Sequence, residues 1–215
     1  MSSNKTPMKL TDAIKAVKDN ARGSFDESVE MHINFILDVK QADQQLRTTT
    51  TLPHGTGKDV KVAVFAEKEI KEADLNLTEE DVSKIQKGNL VPGKDFDVLI
   101  AQPKFMAQLA KLGPILGPAG MMPNPKTGTV TEDVTKAVTS FKQGKVELRT
   151  EQTAPIIHTL IGKISFENKQ LEENFMEVVS TLRSNKPIKA KPNWIKDIFV
   201  CSSMGKSVLV DTTSL

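Results

Sequence analysis

The chain has 215 residues, of which 38% are hydrophobic and 26% charged, with a formal net charge of +2. This composition is typical of a globular protein rather than a disordered one, and the length suits one large domain or two small ones. We expect neither a membrane span nor a secretory signal, because no apolar segment is long enough. The single cysteine, Cys201, excludes a disulfide framework and a zinc site built from cysteines.

The first 60 residues are predicted to form one helix and two half-buried strands. Apolar residues at helical spacing predict the helix over residues 9–20. Residues 29–38 and 44–52 alternate between apolar and polar side chains, which is typical of strands with one buried face. The proline and glycine residues at 53–57 then end the second strand.

From residue 60 the hydrophobic pattern changes. Residues 60–66 are almost continuously apolar, as expected for a strand that is covered on both faces. Thr78 opens a segment resembling a capping box and is expected to start a helix. A second apolar strand at 96–101 and helices at 103–111 and 131–142 complete a pattern that indicates a small parallel α/β unit.

Alternation returns near residue 145. Residues 146–149 and 156–166 are predicted strands, and a helix with one apolar side is expected to end near Asn185. Two last strands are expected at 195–201 and 207–211. The simplest interpretation is an α/β protein with two domains, in which both chain ends form an α+β domain and an α/β domain is inserted between them.

Residues 113–128 (GPILGPAGMMPNPKTG) contain four of the chain's 12 glycines and four of its 11 prolines. Proline fixes φ and removes a donor, whereas glycine permits positive φ, so this segment is predicted to be neither a regular helix nor a central strand. We expect a shaped, ordered loop within a folded unit, which is a common location for functional residues.

Motifs for catalysis and metal binding are incomplete in this sequence. The glycine–lysine pair at 57–58 lacks the other residues of a phosphate-binding loop. His32, His54 and His158 show no metal-ligand spacing, so each is expected to be a surface or strand-face histidine, and Cys201 is expected to be a buried filler. We therefore predict no enzymatic activity, no metal site and no cofactor.

Six segments resemble, in order and spacing, the bacterial-type ribosomal protein L-one family of large-subunit stalk proteins. They are FDESVE (25–30), ADQQLR with LPHGTGK (42–58), KLGPILGPAGMMPNPKTGTVT (111–131), KVELR (145–149), IGKISF (161–166) and SSMG (202–205). The resemblance implies a discontinuous rRNA-binding α+β domain, residues 1–60 plus 147–215. It also implies an inserted Rossmann-like α/β domain, residues 61–146.

The resemblance also implies a function. Members of this family are structural constituents of the large ribosomal subunit that bind 23S-type rRNA at the mobile stalk beside the E site. They assist release of deacylated E-site tRNA, and many repress translation of their own operon mRNA. We expect the same of this chain, as a cytoplasmic protein that is monomeric when free, with no membrane partner.

Carried over position by position, the resemblance implies nine rRNA contacts: Phe25, Ser28, Glu30, His158, Lys163, Ser203, Met204, Gly205 and Lys206. Small hydroxyls and an exposed glycine amide suit 2′-OH and phosphate groups, and Met204 or Phe25 suits a ribose or base face.

Without the resemblance, residues 203–205 would be interpreted as an ordinary turn between strands, and Phe25 as a hydrophobic staple or a core residue. A basic group is expected to add a salt-dependent phosphate term: Arg183, Lys186, Lys189, Lys191 and Lys206.

Two alternatives stay open from the sequence. The first is a nucleotide-binding α/β enzyme that uses the inserted domain, suggested by its parallel-sheet pattern and glycine-rich turns. The second concerns the loop at 113–128, where Ala119 replaces the basic residue usual in the family. This replacement favours a rigid structural element over an RNA-binding loop.

Overall fold

A computed structural model describes residues 6–41, 43–151 and 153–214, and for Glu79 and Ser214 it describes the backbone alone. Residues 1–5, Ala42, Gln152 and Leu215, which fall within the predicted domains, lie outside this description. The strands are β1 (Ser28–Phe35), β2 (Arg47–Thr51), β3 (Val62–Phe65), β4 (Leu75–Leu77), β5 (Val98–Ala101), β6 (Lys145–Arg149), β7 (Ile156–Lys163), β8 (Ile195–Ser202) and β9 (Val208–Val210). The α-helices are α1 (Leu10–Asp19), α2 (Glu79–Gln86), α3 (Met106–Leu109), α4 (Gly113–Leu116), α5 (Val134–Lys142) and α6 (Asn168–Ser184).

By its contacts the chain divides into two compact units, Met1–Lys58 with Gly144–Leu215, and Asp59–Gln143. In the first unit an antiparallel sheet has the strand order β7-β1-β8-β9, and β2 pairs with β6. Residues of β1 are alternately buried and half-buried, as the alternating sequence predicted. The buried face and helices α1 and α6 share one hydrophobic core, which leaves the other face of the sheet accessible.

A buried amide ties three parts of the first unit together. Asn174 of α6 is fully buried. Its Nδ2 donates to the carbonyl oxygens of Gly55 at 3.0 Å and Ile161 at 2.8 Å, and its Oδ1 accepts from His54 N at 3.0 Å. Because every polar atom of this side chain is used, the amide is stable in the core and fixes the turn that follows β2.

The second unit has a three-stranded parallel sheet of order β4-β3-β5. All four residues of β3 are buried, as predicted for a strand covered on both faces. Helix α5 packs on one face, and the segment from α2 to α4 packs on the other. The short strand β4 was missed because it has three residues and follows an acidic segment. None of the helices in the described ranges has the length and apolarity needed to cross a membrane.

The glycine- and proline-rich segment is ordered, but its first part differs from the prediction. Gly113–Leu116 forms one helical turn, α4, whose Leu116 is buried. Proline is tolerated here because it lies in the first turn, where its missing N–H is not required. The remainder is an irregular loop in which Asn124 Oδ1 accepts from Lys126 N at 2.8 Å and Gly128 has a φ of 70°.

A candidate nucleic-acid interface

The start of β1 and the turn after β8 are joined, although they are 175 positions apart. Ser203 N donates to Ser28 O at 3.1 Å, and Ser28 N donates to Ser203 Oγ at 3.2 Å. Antiparallel pairing of β1 with β8, in which Val29 lies opposite Ser202, brings the two segments together. The structure therefore makes one surface of two segments that the sequence places at opposite ends of the chain.

A buried carboxylate lies beneath this turn. Glu27 is 1% exposed, and its Oε2 accepts from Met204 N at 2.9 Å. Its Oε1 accepts from Arg22 N at 2.8 Å and from Gly23 N. The Glu27 side chain thus links the loop before β1 to the turn after β8 and fixes the position of one relative to the other.

The environment of Glu27 favours the ionised carboxylate. The Ser202 hydroxyl contributes most, followed by the N–H groups of Met204, Gly23 and Arg22, and together they lower the Glu27 pKa from 4.5 to about 2 against the effect of burial. Ser202 Oγ is itself buried and makes no hydrogen bond of ordinary geometry within the described residues. We therefore attribute its effect to a nearby dipole rather than to a formed hydrogen bond.

The turn leaves apolar side chains accessible, but its main-chain N–H groups are used within the chain. Gly205 N donates to Ser202 O at 3.1 Å, so the predicted exposed glycine amide is wrong. Phe25 is 59% exposed and Met204 66% exposed, which is unusual for side chains of this size and polarity. A Cβ at Gly205 would lie too close to Ser202 Oγ, so a larger residue here would require that hydroxyl or the turn to move. Ser203 is also exposed. The combination of exposed apolar side chains with the Ser203 hydroxyl suits contact with ribose and base faces.

Lys163 lies beside this surface, because it is the register partner of Ser28 on β7. Its Nζ is 3.9 Å from Asp26 Oδ2, and Asp26 also accepts from Ser165 N at 3.1 Å and Ser165 Oγ at 2.8 Å. Asp26 thus fixes the turn that follows β7. Lys206 is exposed and lines a cavity with Asn20 and Val208.

Glu30 and His158 lie further along the accessible face of the sheet. His158 is opposite His32 in the β1–β7 register, and their Nδ1 atoms are 2.6 Å apart. Burial, and then the proximity of His158, lower the pKa of His32, while Glu30 opposes the shift. The histidines are strand-face residues as expected, but His32 and His158 form a pair that sequence spacing did not reveal.

Two residues of the basic group predicted to assist phosphate binding, Arg183 and Lys186, lie away from the surface around Ser28, whereas Lys206 directly follows Gly205. Arg183, Lys186 and Lys196 line a cavity with Trp194, and Ile36 N donates to Trp194 O at 2.7 Å, so this cavity lies at the other end of β1. Eight strand residues span roughly 25 Å. Arg183 and Lys186 are therefore separate from the turn, and the salt-dependent phosphate contribution of the group stays a prediction.

Sequence reasoning missed the residues that position the surface. Glu27 and Asp26 belong to a segment whose Phe25, Ser28 and Glu30 were selected, yet neither was assigned a role. A signal was present, because two-residue periodicity places Glu27 on the same side as buried Val29. A carboxylate at a buried position requires partners, and that requirement predicts a structural role.

Known proteins resemble this chain over most of its length. The model of the Ribosomal protein L1p/L10e family matches residues 16–206. A large ribosomal subunit protein uL1 from Coxiella burnetii (strain Dugway 5J108-111) is 43% identical over 96% of this chain and 89% of its own length. The proteins of the same name from Thermosipho africanus (strain TCF52B) and Synechococcus sp. (strain WH7803) are 46% and 47% identical, over 96% and 95% of this chain and 90% and 87% of their own lengths.

These similarities and the mixed α/β fold first define the class, a ribosomal protein that is not an enzyme. The chain belongs to the Ribosomal protein L1p/L10e family. The family membership that the six sequence segments predicted is confirmed. The alternative of a nucleotide-binding enzyme is wrong.

Proposed function

We propose that this chain is a structural component of the large ribosomal subunit, in the cytoplasm, and binds large-subunit, 23S-type rRNA at the mobile stalk beside the E site. The discontinuous unit Met1–Lys58 with Gly144–Leu215 is the rRNA-binding domain, and Asp59–Gln143 is an inserted domain. The relatives are large ribosomal subunit proteins, which supports assembly of this chain into the large subunit.

The reciprocal pairing of Ser28 with Ser203 above buried Glu27 is the observation that carries the rRNA-binding proposal. It fixes Ser203, Met204 and Gly205 in one orientation before RNA binds, so little ordering free energy is lost on association. The net charge of only +2 supports recognition by shape and by sugar and base contacts rather than by charge alone.

Binding to an rRNA fragment of the stalk junction tests this proposal. We expect Met204→Asp to abolish measurable binding, because a carboxylate would face the phosphate-rich ligand. Phe25→Ala is expected to cost about 1–3 kcal/mol, the range for a lost aromatic contact with a base. Met176→Asp is the matched control, since Met176 is 42% exposed on α6 of the same unit. Wild-type affinity in both interface variants would contradict the proposed surface.

The same surface would serve repression of the chain's own operon mRNA, if that mRNA mimics the rRNA junction. Competition between an operon leader fragment and the rRNA fragment tests this, and Met204→Asp should weaken binding of both fragments equally.

Assistance in release of deacylated tRNA is proposed for the assembled subunit. Its measurement is the tRNA release rate from ribosomes with and without the chain. Sedimentation of the isolated chain tests the proposed monomeric state.

A further inference from the structure

Three metal-ligating side chains of different chemistry converge on the accessible face of the sheet. His32 Nε2 lies 3.1 Å from Cys201 Sγ and 3.7 Å from Glu30 Oε2. One ligand atom from each of the three residues lies within 4.8 Å of the other two, and all three residues are half-buried. The cluster thus offers one nitrogen, one sulfur and one oxygen.

Strand pairing, rather than sequence spacing, produces this cluster. Glu30 and His32 are two residues apart on β1 and therefore point to the same side of the sheet. Cys201 of β8 is the register partner of Glu30. All three side chains come from the central part of a sheet whose other face is the hydrophobic core, so their backbone positions are rigid.

The distances suit a tetrahedral ion. Zinc binds histidine nitrogen at about 2.0–2.1 Å, thiolate sulfur at about 2.3 Å and carboxylate oxygen at about 2.0–2.2 Å. Tetrahedral angles then place neighbouring ligand atoms about 3.4–3.6 Å apart. His32 Nε2 lies 3.1 Å from Cys201 Sγ and 3.7 Å from Glu30 Oε2, and the third pair, Cys201 Sγ with the Glu30 carboxylate, lies within 4.8 Å, so side-chain rotations bring the three atoms to that geometry.

An outer group of residues orients the histidine. His32 Nδ1 is 2.6 Å from His158 Nδ1, and His158 Nε2 is 3.4 Å from Glu151 Oε1. A neutral His158 that keeps its proton on Nε2, towards Glu151, accepts from His32 Nδ1–H. This arrangement leaves the lone pair of His32 Nε2 directed at Cys201 and Glu30. Metal-binding histidines commonly use the second nitrogen in this way.

We propose that Glu30, His32 and Cys201 form a site for a divalent metal of the zinc class, with a water in the fourth position and His158 as a positioning residue. The mixed nitrogen, sulfur and oxygen set matches the preference of this ion. Binding displaces the thiol proton to solvent as the thiolate–metal bond forms. The inference goes beyond rRNA binding and does not depend on it.

Titration of the whole chain with Co²⁺ alone, followed by displacement with Zn²⁺, tests the site without RNA. The wild type is expected to bind one equivalent and to show thiolate-to-cobalt charge-transfer absorption, which Zn²⁺ abolishes. Cys201→Ser should remove this absorption, and His32→Gln and Glu30→Gln should weaken it strongly. His54→Gln is the matched control, since His54 lies in the same unit and pairs with Glu173 at 2.5 Å.

Absence of the charge-transfer absorption in the wild type would overturn the proposal. The same holds if His32→Gln and Glu30→Gln bind Co²⁺ as the wild type does, because Cys201 would then act alone. His158→Gln separates a positioning role from a ligand role. It should keep the cobalt spectrum but weaken Zn²⁺ binding roughly 10- to 100-fold, the usual effect of losing an outer partner. An unchanged Zn²⁺ affinity in His158→Gln would overturn the positioning role.

Discussion

The carboxylate of Glu27 accepts a hydrogen bond from Met204 N at 2.9 Å, across 177 positions of the chain. The exposed methionine of the proposed rRNA surface is thus held at its main chain by a buried acid that precedes β1. The order of the turn depends on an ionised side chain that lies beneath the surface.

Glu27→Gln is expected to disorder this turn while the fold persists. Glutamine keeps only one acceptor oxygen. Its amino group would face either Met204 N or the N–H groups of Arg22 and Gly23, so either the turn after β8 or the loop before β1 loses its hydrogen bonds to this side chain. Affinity for the stalk-junction rRNA fragment should fall at least roughly tenfold, as expected when a charge-assisted hydrogen bond is lost. Amide hydrogen exchange at Met204 should accelerate. Glu80→Gln, an exposed acid of the second unit, is the control.

The low pKa of Glu27 predicts a loss of stability in acid. Its folded pKa of about 2 lies below the ordinary 4.5. The ionised group therefore stabilises the folded chain fully above pH 4.5, and this contribution declines as the pH falls from about 4.5 towards 2. Urea unfolding across this range should show the wild type approaching Glu27→Gln in stability. A constant difference between the two proteins would contradict the assignment.

Local sequence patterns predicted the helices and strands well where the apolar residues follow a single helical or alternating period. The alternation in β1 placed Val29, Met31 and Ile33 in the core, and all three are fully buried. Thr78 precedes α2 and is bonded to Asp81 in the way the capping pattern predicted, with Thr78 N donating to Asp81 Oδ2 at 2.8 Å. These features depend on residues close in sequence, so a single chain contains the information.

The pairing of the strands, and therefore which residues lie opposite one another, could not be predicted from the sequence. His32 and His158 are 126 positions apart and meet only because β1 and β7 pair as they do. Antiparallel pairing of β1 with β8 likewise puts Trp194, with the cavity that Arg183 and Lys186 line, at the opposite end of β1 from Ser28. Alternation shows which face of a strand is buried, but it does not show which strand pairs with which or which residues lie opposite one another.

Asn174→Leu tests the buried amide of the first unit. The substitution leaves His54 N and the carbonyl oxygens of Gly55 and Ile161 without their partner. The Ile161 carbonyl is buried, and an unpaired buried group costs about 1–3 kcal/mol, while the groups of His54 and Gly55 are only partly buried and lose less. The free energy of unfolding should therefore fall by on the order of 3 kcal/mol. Urea denaturation measures the change. Asn185→Leu, an exposed amide with one bond to Thr181 O at 2.9 Å, should change stability by less than about 1 kcal/mol.

Gly205→Ala tests the shape of the rRNA turn, and a second substitution offers a rescue. The new methyl group would collide with Ser202 Oγ, whereas the next atoms, Asn20 O and Ser202 Cβ, are 3.4 and 3.5 Å away. The single variant should therefore displace the turn and weaken rRNA-fragment binding. Ser202→Ala with Gly205→Ala removes the colliding oxygen and should recover part of the affinity, although it also removes a dipole that favours ionised Glu27. Equal loss in the single and double variants would indicate that the collision does not determine the turn.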